Sequence, residues 1–413
     1  MSHNHLYSGI ALVIDDALDS ENQENDGISS IVDNLENSGI PLLKRREIPK
    51  QNEIDNYRAL NFIILDWRLK PLNWPLGMEL SEEIESQIIG NNINFLKEIR
   101  SKVFVPVFIF TTDAIEDVTE HLQKAKLYES EESKNFILIR SKNKLQKAED
   151  LNKAIEDWIV NNPSVYTMKE WEHSFYQAKN STFWHLFDRS AIWPKVLWNS
   201  YEDDLVDPVF NFNETLFRQI MSRSKIDSLQ KKFIQGADNL VLDKEEIKEV
   251  LKGLMYLDES YLNKDEFRPG DVFKGSKSGK YLLNIRPECD TVTGRTDGYL
   301  YLIKGSKMTP NQAERHFGDN YSKDLGIREK HDESILFGID GSDFVVFKFN
   351  EVKIEEANSL KDKRKCRILH PYINNIQQKF SSYSSRVGLP RFPHDLMVEI
   401  VPTTKEDQED KNE

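Results

Sequence analysis

NFIILDWRL, residues 61–69, decides how the first part of the chain folds: an apolar run stops abruptly at Asp66. A strand with one wet face alternates polar and apolar residues, whereas a strand covered on both faces of a parallel sheet reads as an unbroken apolar run. The same reading applies to IALVI (10–14), PLL (41–43), VFVPVFIF (103–110) and NFILI (135–139). Between these runs the apolar residues fall at helical spacing: Ile28, Ile31, Val32 and Leu35, then Ile93, Leu96 and Ile99, then Val118 and Leu122, then Leu151, Ile155 and Ile159. A further helix belongs near residues 51–58, where the pattern is weak. The expectation is an α/β domain over residues 1–160, a doubly wound five-stranded parallel sheet.

Such sheets bind ligands at the carboxyl ends of their strands, where strand order reverses. The residues just past the first, third and fourth runs are Asp15 with Asp16, Asp66, and Thr111. Three converging carboxylates repel one another unless a hard divalent cation neutralises them, so Asp15, Asp16 and Asp66 are the expected magnesium ligands. With Mg2+ bound, one carboxylate can attack a phosphoryl group while a hydroxyl and an ammonium stabilise the transferred oxygens. Thr111 supplies the hydroxyl and Lys142, after the fifth strand, the ammonium; Lys144 is the rival lysine.

At these positions the chain resembles the receiver domain of response regulators. VIDDALD resembles the family's first-strand acidic pair, IILDWRL its acceptor strand, and PVFIFTT its fourth strand, with Pro106 five positions before Thr111. The resemblance covers roughly residues 8–160 and implies phosphorylation on Asp66. Three departures bear on switching. The stretch from Asp66 to Gly90 is 90 − 66 = 24 positions, longer than an ordinary acceptor loop, and contains Trp74, Pro75 and an acidic run. Thr112 stands where the family prefers a very small residue, and Ile139 occupies the usual aromatic switch position if Lys142 is the conserved-type lysine.

Past residue 160 the character changes. Residues 161–262 carry Trp171, Phe175, Trp184, Phe187, Trp193, Trp198 and Tyr201 among helix-compatible charged segments, read as a helical middle region whose aromatic residues form packed core. Residues 263–402 turn to short β-like runs, PGDVF, KYLLNI, DGYLYLI, ILFGI and DFVVFKF, punctuated by glycines. They predict a small antiparallel sheet or barrel, with a terminal helix over 371–387 ended by GLPRFP. The tail, 403–413, is polar and expected to be disordered. In this half, Asp271, Glu288 and Asp290 are candidate ligands for a nuclease metal, although Leu302, two positions before Lys304, breaks the restriction-type signature. His316 and His331 read as exposed histidines, and the basic run Lys361, Lys363, Arg364, Lys365 and Arg367 as a solvated face.

The 413 residues carry 55 Lys and Arg against 69 Asp and Glu, a net charge of −14, which argues against nucleic acid as a partner. Two cysteines, Cys289 and Cys366, rule out a disulfide framework and read as reduced thiols. There is no apolar run of membrane length and no secretory-type start, so a cytoplasmic protein is expected. No phosphate loop or nucleophile elbow is present, so no activity is expected beyond the receiver's own phosphoryl transfer.

FRPGDVF, YLLNIRPECD and HPYINNIQQKFSSYSSRVGLPRFP resemble the C-terminal region of bacterial response-receiver proteins of candidate phage-defence operons. That resemblance implies a two-component-like system in antiviral defence and, as partner, a histidine-kinase-like or Hsp90-like ATPase; a homodimer is left open. Two other classes stand beside this reading: a degenerate receiver acting as a constitutive adaptor, and a C-terminal effector enzyme such as a nuclease.

Overall fold

The computed structural model describes residues 9–18, 27–57, 59–71, 74, 78, 80–142, 148–226, 231–235, 243–291, 297–317, 327–330, 332–341 and 343–386. Lys144, His331, Pro75, the GLPRFP segment and the tail, each singled out in the sequence, lie outside these residues. The chain divides into two compact units, Met1–Leu197 with Phe212–Val241, and Trp198–Asn211 with Leu242–Glu413.

The first unit is the doubly wound domain. Its strands are β1 (Ile10–Ile14), β2 (Leu42–Arg45), β3 (Leu60–Asp66), β4 (Val107–Thr111) and β5 (Ile137–Ser141), all parallel, in the order β2-β1-β3-β4-β5. Side chains alternate across the sheet. Ala11, Val13, Phe62, Ile64, Phe108, Phe110 and Leu138 face one core with α1 (Gly27–Asn37) and α5 (Ala148–Val160). Leu12, Ile14, Ile63, Leu65, Val107, Ile109, Ile137 and Ile139 face the other, with α2 (Gln51–Ile54), α3 (Glu82–Lys102) and α4 (Ile115–Lys124). Burial on both faces is why β1, β3, β4 and β5 carry unbroken apolar runs. β4 starts at Val107 rather than Val103, because Pro106 has no N–H for the ladder and only its carbonyl joins, accepting from Ile63. α3 begins under control of Ser81, whose hydroxyl accepts from the Ile84 N–H, with Glu82, Glu83 and Glu85 in the first turn and Arg100 and Lys102 in the last.

α6 (Pro163–Arg189) follows α5 after one short turn, started by Pro163 and capped by the Asn162 side chain. Its first turn joins the sheet core through Val165 and Tyr166, where Tyr166 meets Phe233 of α9 (Lys231–Ile234) at 4.7 Å between ring centres. Farther along, α6 buries only a narrow strip: Ser174, Ala178 and Thr182. α7 (Trp193–Asp203) and α8 (Pro208–Arg223) come next, and Trp193 links Phe183 to Phe212 in a run of ring contacts at 5.8 and 5.4 Å. The expectation of a packed aromatic core fails here. Trp171, Trp184, Phe187 and Trp198 are all exposed.

The second unit is built on α10 (Lys244–Met255) and an eight-stranded sheet. Its strands are β6 (Tyr256–Asp258), β7 (Asp271–Lys274), β8 (Lys280–Asn284), β9 (Tyr299–Met308), β10 (Ile327–Lys330), β11 (Glu333–Asp340), β12 (Asp343–Glu356) and β13 (Arg364–Ile368). The order is β10-β11-β12-β9-β8-β7-β13-β6, and every pairing is antiparallel. The sheet is open: β10 and β6 stand at its two ends, with no ladder between them among the described residues. α11 (Pro310–Phe317) covers one end through Ala313, and α12 (Tyr372–Ser384), the expected terminal helix, buries Ile373 and Ile376 against Val272, Leu283 and Phe347. Gly305 sits where β9 passes Phe347; a Cβ there would lie 2.6 Å from the ring.

Candidate functional site

Four of the five sheet strands of the first unit end at one place. Asp15 follows β1, Asp66 and Thr111 are the last residues of β3 and β4, and Lys142 follows β5. All are buried, with Asp15 at 1%, Asp66 at 7%, Thr111 at 0% and Lys142 at 8% exposure, while Asp16 is half-buried. Asp15, Asp16 and Asp66 each bring a carboxylate oxygen within 4.8 Å of the others. The Lys142 ammonium donates to Asp15 Oδ2 at 2.8 Å and stands 3.0 Å from Asp66 Oδ2. The described residues thus bring Asp15, Asp16, Asp66 and Lys142 together, and Thr111 ends β4, the strand paired with β3.

The backbone holds the carboxylates in place. The Ala17 N–H donates to Asp15 Oδ1 at 2.9 Å and the Arg68 N–H to Asp66 Oδ1 at 3.3 Å, each two residues on, the turn that an aspartate makes at a strand end. Thr111 Oγ1 accepts from the Asp113 N–H at 3.0 Å in the same manner. Asp113 in turn receives the Arg68 guanidinium at 2.6 Å, and Arg68 also reaches Glu85 of α3 at 3.2 Å. Trp67 is buried beside the acceptor strand, its carbonyl held by the Asn92 amide at 2.7 Å.

Electrostatics follow from burial. Removal from water pushes the Asp66 carboxyl up to about 7, Asp15 and Asp16 add to the effect, and Lys142 opposes it. Burial also raises Asp16, against a hydrogen bond from the Lys70 backbone. Burial works against the charge of Lys142, yet the Asp66 and Asp15 carboxylates together hold it well above the ordinary lysine value. A lone ammonium does not neutralise three carboxylates, so the pocket keeps an excess of negative charge. Oxygen donors with excess negative charge suit a hard divalent cation, and the residues that would hold it are Asp15, Asp16 and Asp66.

The acidic candidates of the second half do not converge. Asp271 is fully buried and receives a two-pronged contact from Arg367, Nε to Oδ1 at 2.7 Å and an Nη to Oδ2 at 3.2 Å, with Arg364 at 3.3 Å. Glu288 accepts from Arg268 at 2.9 Å. These carboxylates are consumed by arginines, and the only metal-type cluster among the described residues is the one at Asp66. The same contacts correct the basic run: Arg364 is buried and Arg367 ion-paired, so these two are internal counter-ions, not a solvated face. His316 is half-exposed and pairs with Glu333 at 2.6 Å.

No family model matches the chain, and no curated relative does. Among solved structures, a yeast Spc42 trimeric coiled-coil segment fused to another structure aligns over 45% of this chain and 92% of its own, at 11% identity and a TM-score of 0.26. A score of that size is below what a shared topology requires.

Proposed function

We propose that this protein is a response-receiver protein in which Asp66 accepts a phosphoryl group with magnesium held by Asp15, Asp16 and Asp66. The observation that carries this reading is the convergence of three carboxylates, Lys142 and Thr111 at the carboxyl ends of a parallel sheet ordered 2-1-3-4-5, at its switch point between β1 and β3. In the transfer, an oxygen of the Asp66 carboxylate forms the new bond to phosphorus as the bond to the donor breaks. Lys142 and the Thr111 hydroxyl meet the charge on the transferred oxygens. Bound magnesium supplies further neutralisation of those oxygens and of the carboxylates.

In this reading the partner is a histidine-kinase-like or Hsp90-like ATPase, the setting is a cytoplasmic two-component-like system with a place in antiviral defence, and the output is through protein contacts. No helix among the described residues is long and apolar enough to cross a membrane, which accords with that setting. The adaptor reading has one observation in its favour. Ile139 is packed in the sheet core, so the rotating aromatic ring by which receivers commonly report phosphorylation is missing.

The deciding experiment titrates magnesium and then beryllofluoride, a phosphoryl mimic, while following tryptophan fluorescence in the wild type and in Asp66→Asn. Trp67 lies next to the acceptor, and the other six tryptophans contribute the same background to both proteins. A saturable, magnesium-dependent change in the wild type alone is expected. Identical traces would sink phosphorylation control and favour the adaptor.

A further inference from the structure

The amino ends of β4 and β5 border a cavity of about 470 Å³ that the chemistry at Asp66 does not use. It is enclosed by the end of α3, the turn after α4, the approaches to the two strands and the first residues of α6, all within the first unit. Asp66 and Thr111 lie at the opposite edge of the sheet, one strand of five residues or about 16 Å away. Small-molecule sites commonly measure about 300–1,000 Å³, and this cavity is of that size.

Two kinds of side chain meet in its lining. Phe104, Tyr128 and Phe136 are aromatic, and Arg100, Lys126 and Lys134 are cationic. Tyr128 and Phe136 rest against the sheet core, whereas Phe104 is 59% exposed, a ring beside a cavity that the chain leaves uncovered. Glu129 is the one carboxylate of the lining among the described residues, so three cations face one anion there in a chain whose net charge is −14. These cations are not consumed by buried carboxylates as Arg364 and Arg367 are. Arg100 donates to a neutral acceptor, the Lys126 carbonyl, at 2.8 Å, and Lys134 meets Glu131 at 3.5 Å between half-exposed side chains.

The backbone singles out Lys126. It closes α4 in the left-handed region at φ 59, its N–H bonded to the Gln123 carbonyl and the next N–H, of Leu127, to the Leu122 carbonyl, each at 2.9 Å. Glycine is the usual residue in that closing turn, and a side chain there costs about 1 kcal/mol. A positive charge is thus kept at the cavity against the local preference. The buried amides of the lining, in contrast, have their partners. Asn135 accepts from the Glu129 N–H at 2.6 Å and donates to the Glu129 and Glu131 carbonyls at 3.0 and 2.8 Å, while Asn162 donates to the Asn135 carbonyl. A ligand is therefore held by ring faces and by charge, with few hydrogen bonds to its edges.

We infer that this cavity binds a nucleoside monophosphate, its base against Phe104, Tyr128 and Phe136 and its phosphate met by Arg100, Lys126 and Lys134. The lining matches a planar ring and a compact anion carried on one small molecule: phosphate alone leaves the rings bare, and a nucleoside leaves the cations unmet. Stacking tolerates every base, so little preference among bases is expected. The inference stands apart from the chemistry at Asp66 and does not depend on it.

The test is calorimetric titration of the full-length protein with adenosine monophosphate, in a chelator so that no magnesium links the phosphate to the carboxylates at Asp66. Saturable binding is expected with a Kd below about 1 mM. Guanosine monophosphate is expected within about fivefold of it, and adenosine and inorganic phosphate each at least about tenfold weaker. Lys126→Gly removes the cation and supplies the residue that the backbone favours, so binding should weaken about tenfold with no fall in melting temperature. Phe104→Ala removes an exposed ring and is expected to cost about tenfold in affinity with little change in stability, whereas Trp184→Ala, exposed on α6 outside the lining, leaves binding unchanged. Absence of saturable binding overturns the inference. So does phosphate that binds as tightly as the nucleotide, or a nucleotide affinity untouched by Lys126→Gly or by Phe104→Ala.

Discussion

Asp66→Asn is expected to stabilise the first unit, and the structure allows its size to be worked out. The carboxyl stands at about 7 against an ordinary 3.8, chiefly because it is buried. At about 1.4 kcal/mol per tenfold change in proton affinity, holding Asp66 ionised costs about 4 kcal/mol. Asparagine keeps the side chain's shape and its acceptor for the Arg68 N–H, and removes the charge. It also deprives Lys142 of one of its two carboxylates, a loss already counted in the value of about 7, and the contact to Asp15 at 2.8 Å persists. The gain is then at most about 4 kcal/mol, a rise of up to about 8–16 °C in the melting temperature of a unit this size.

The pH dependence carries the sign. Asp66 binds its proton more tightly in the folded chain than in the unfolded one, so between about pH 4 and 7 the native state holds the extra proton. Wild-type stability therefore falls as pH rises through that window, and the cost is fully developed only above about 7. Melting curves of both proteins in a chelator, from pH 5 to pH 8, are expected to lie close together at the acid end and to separate at the alkaline end, the asparagine variant higher. An asparagine variant less stable than the wild type at pH 8, or a gap that does not change with pH, would refute the argument that burial of this carboxylate governs the site.

Added magnesium is expected to narrow that gap, because binding to the carboxylates stabilises the wild type more than the variant; equal shifts in melting temperature would count against a metal site at Asp66. Lys169 is buried against Glu172, and burial holds its amine below the ordinary 10.5. The unfolded chain therefore binds that proton more readily, and Lys169→Met should raise neutral-pH stability by about 1 kcal/mol, with the gain fading toward pH 10, as melting curves over that range will show. Asp271→Ala leaves two arginines facing each other in the core and is expected to destabilise the second unit by about 3–5 kcal/mol in a urea titration, with no effect on metal binding. Gly305→Val drives a branched side chain into Phe347 and Val345 and should cost at least about 2 kcal/mol in the same assay.

What could be read from residue order alone was whatever depends on one face or one strand end. The apolar runs of β1, β3, β4 and β5 announce strands covered on both sides, and the sheet has them in that role. The convergence of Asp15, Asp16, Asp66 and Lys142 follows from strand order alone, because each stands where its strand stops. β2 was less legible: only Leu42 and Leu43 of its four residues are apolar, since an edge strand is half wet. The one-turn α2 has too few residues for a period. Asp271 escaped because its partners lie 93 and 96 positions away in a run of basic residues that, without β13 beside β7, reads as solvated.

The aromatic residues of α6 and α7 show the limit most clearly. Burying apolar surface is favourable whatever covers it, so a helix that carries Tyr176, Phe183, Trp184 and Phe187 at helical spacing declares that something packs there and leaves open what. Intramolecular packing was the natural first reading. The folded chain instead buries α6 through Val165 and Tyr166 at its start and through Ser174, Ala178 and Thr182 farther along, while Tyr176, Phe183, Trp184 and Phe187 stay largely exposed. An amphipathic period in one sequence thus counts the faces of a helix that need a neighbour. Whether the neighbour belongs to the same molecule is settled by how much of that face the rest of the chain reaches, and on α6 it covers Tyr166 and the strip of small residues while Phe183, despite its contact with Trp193, stays 42% exposed.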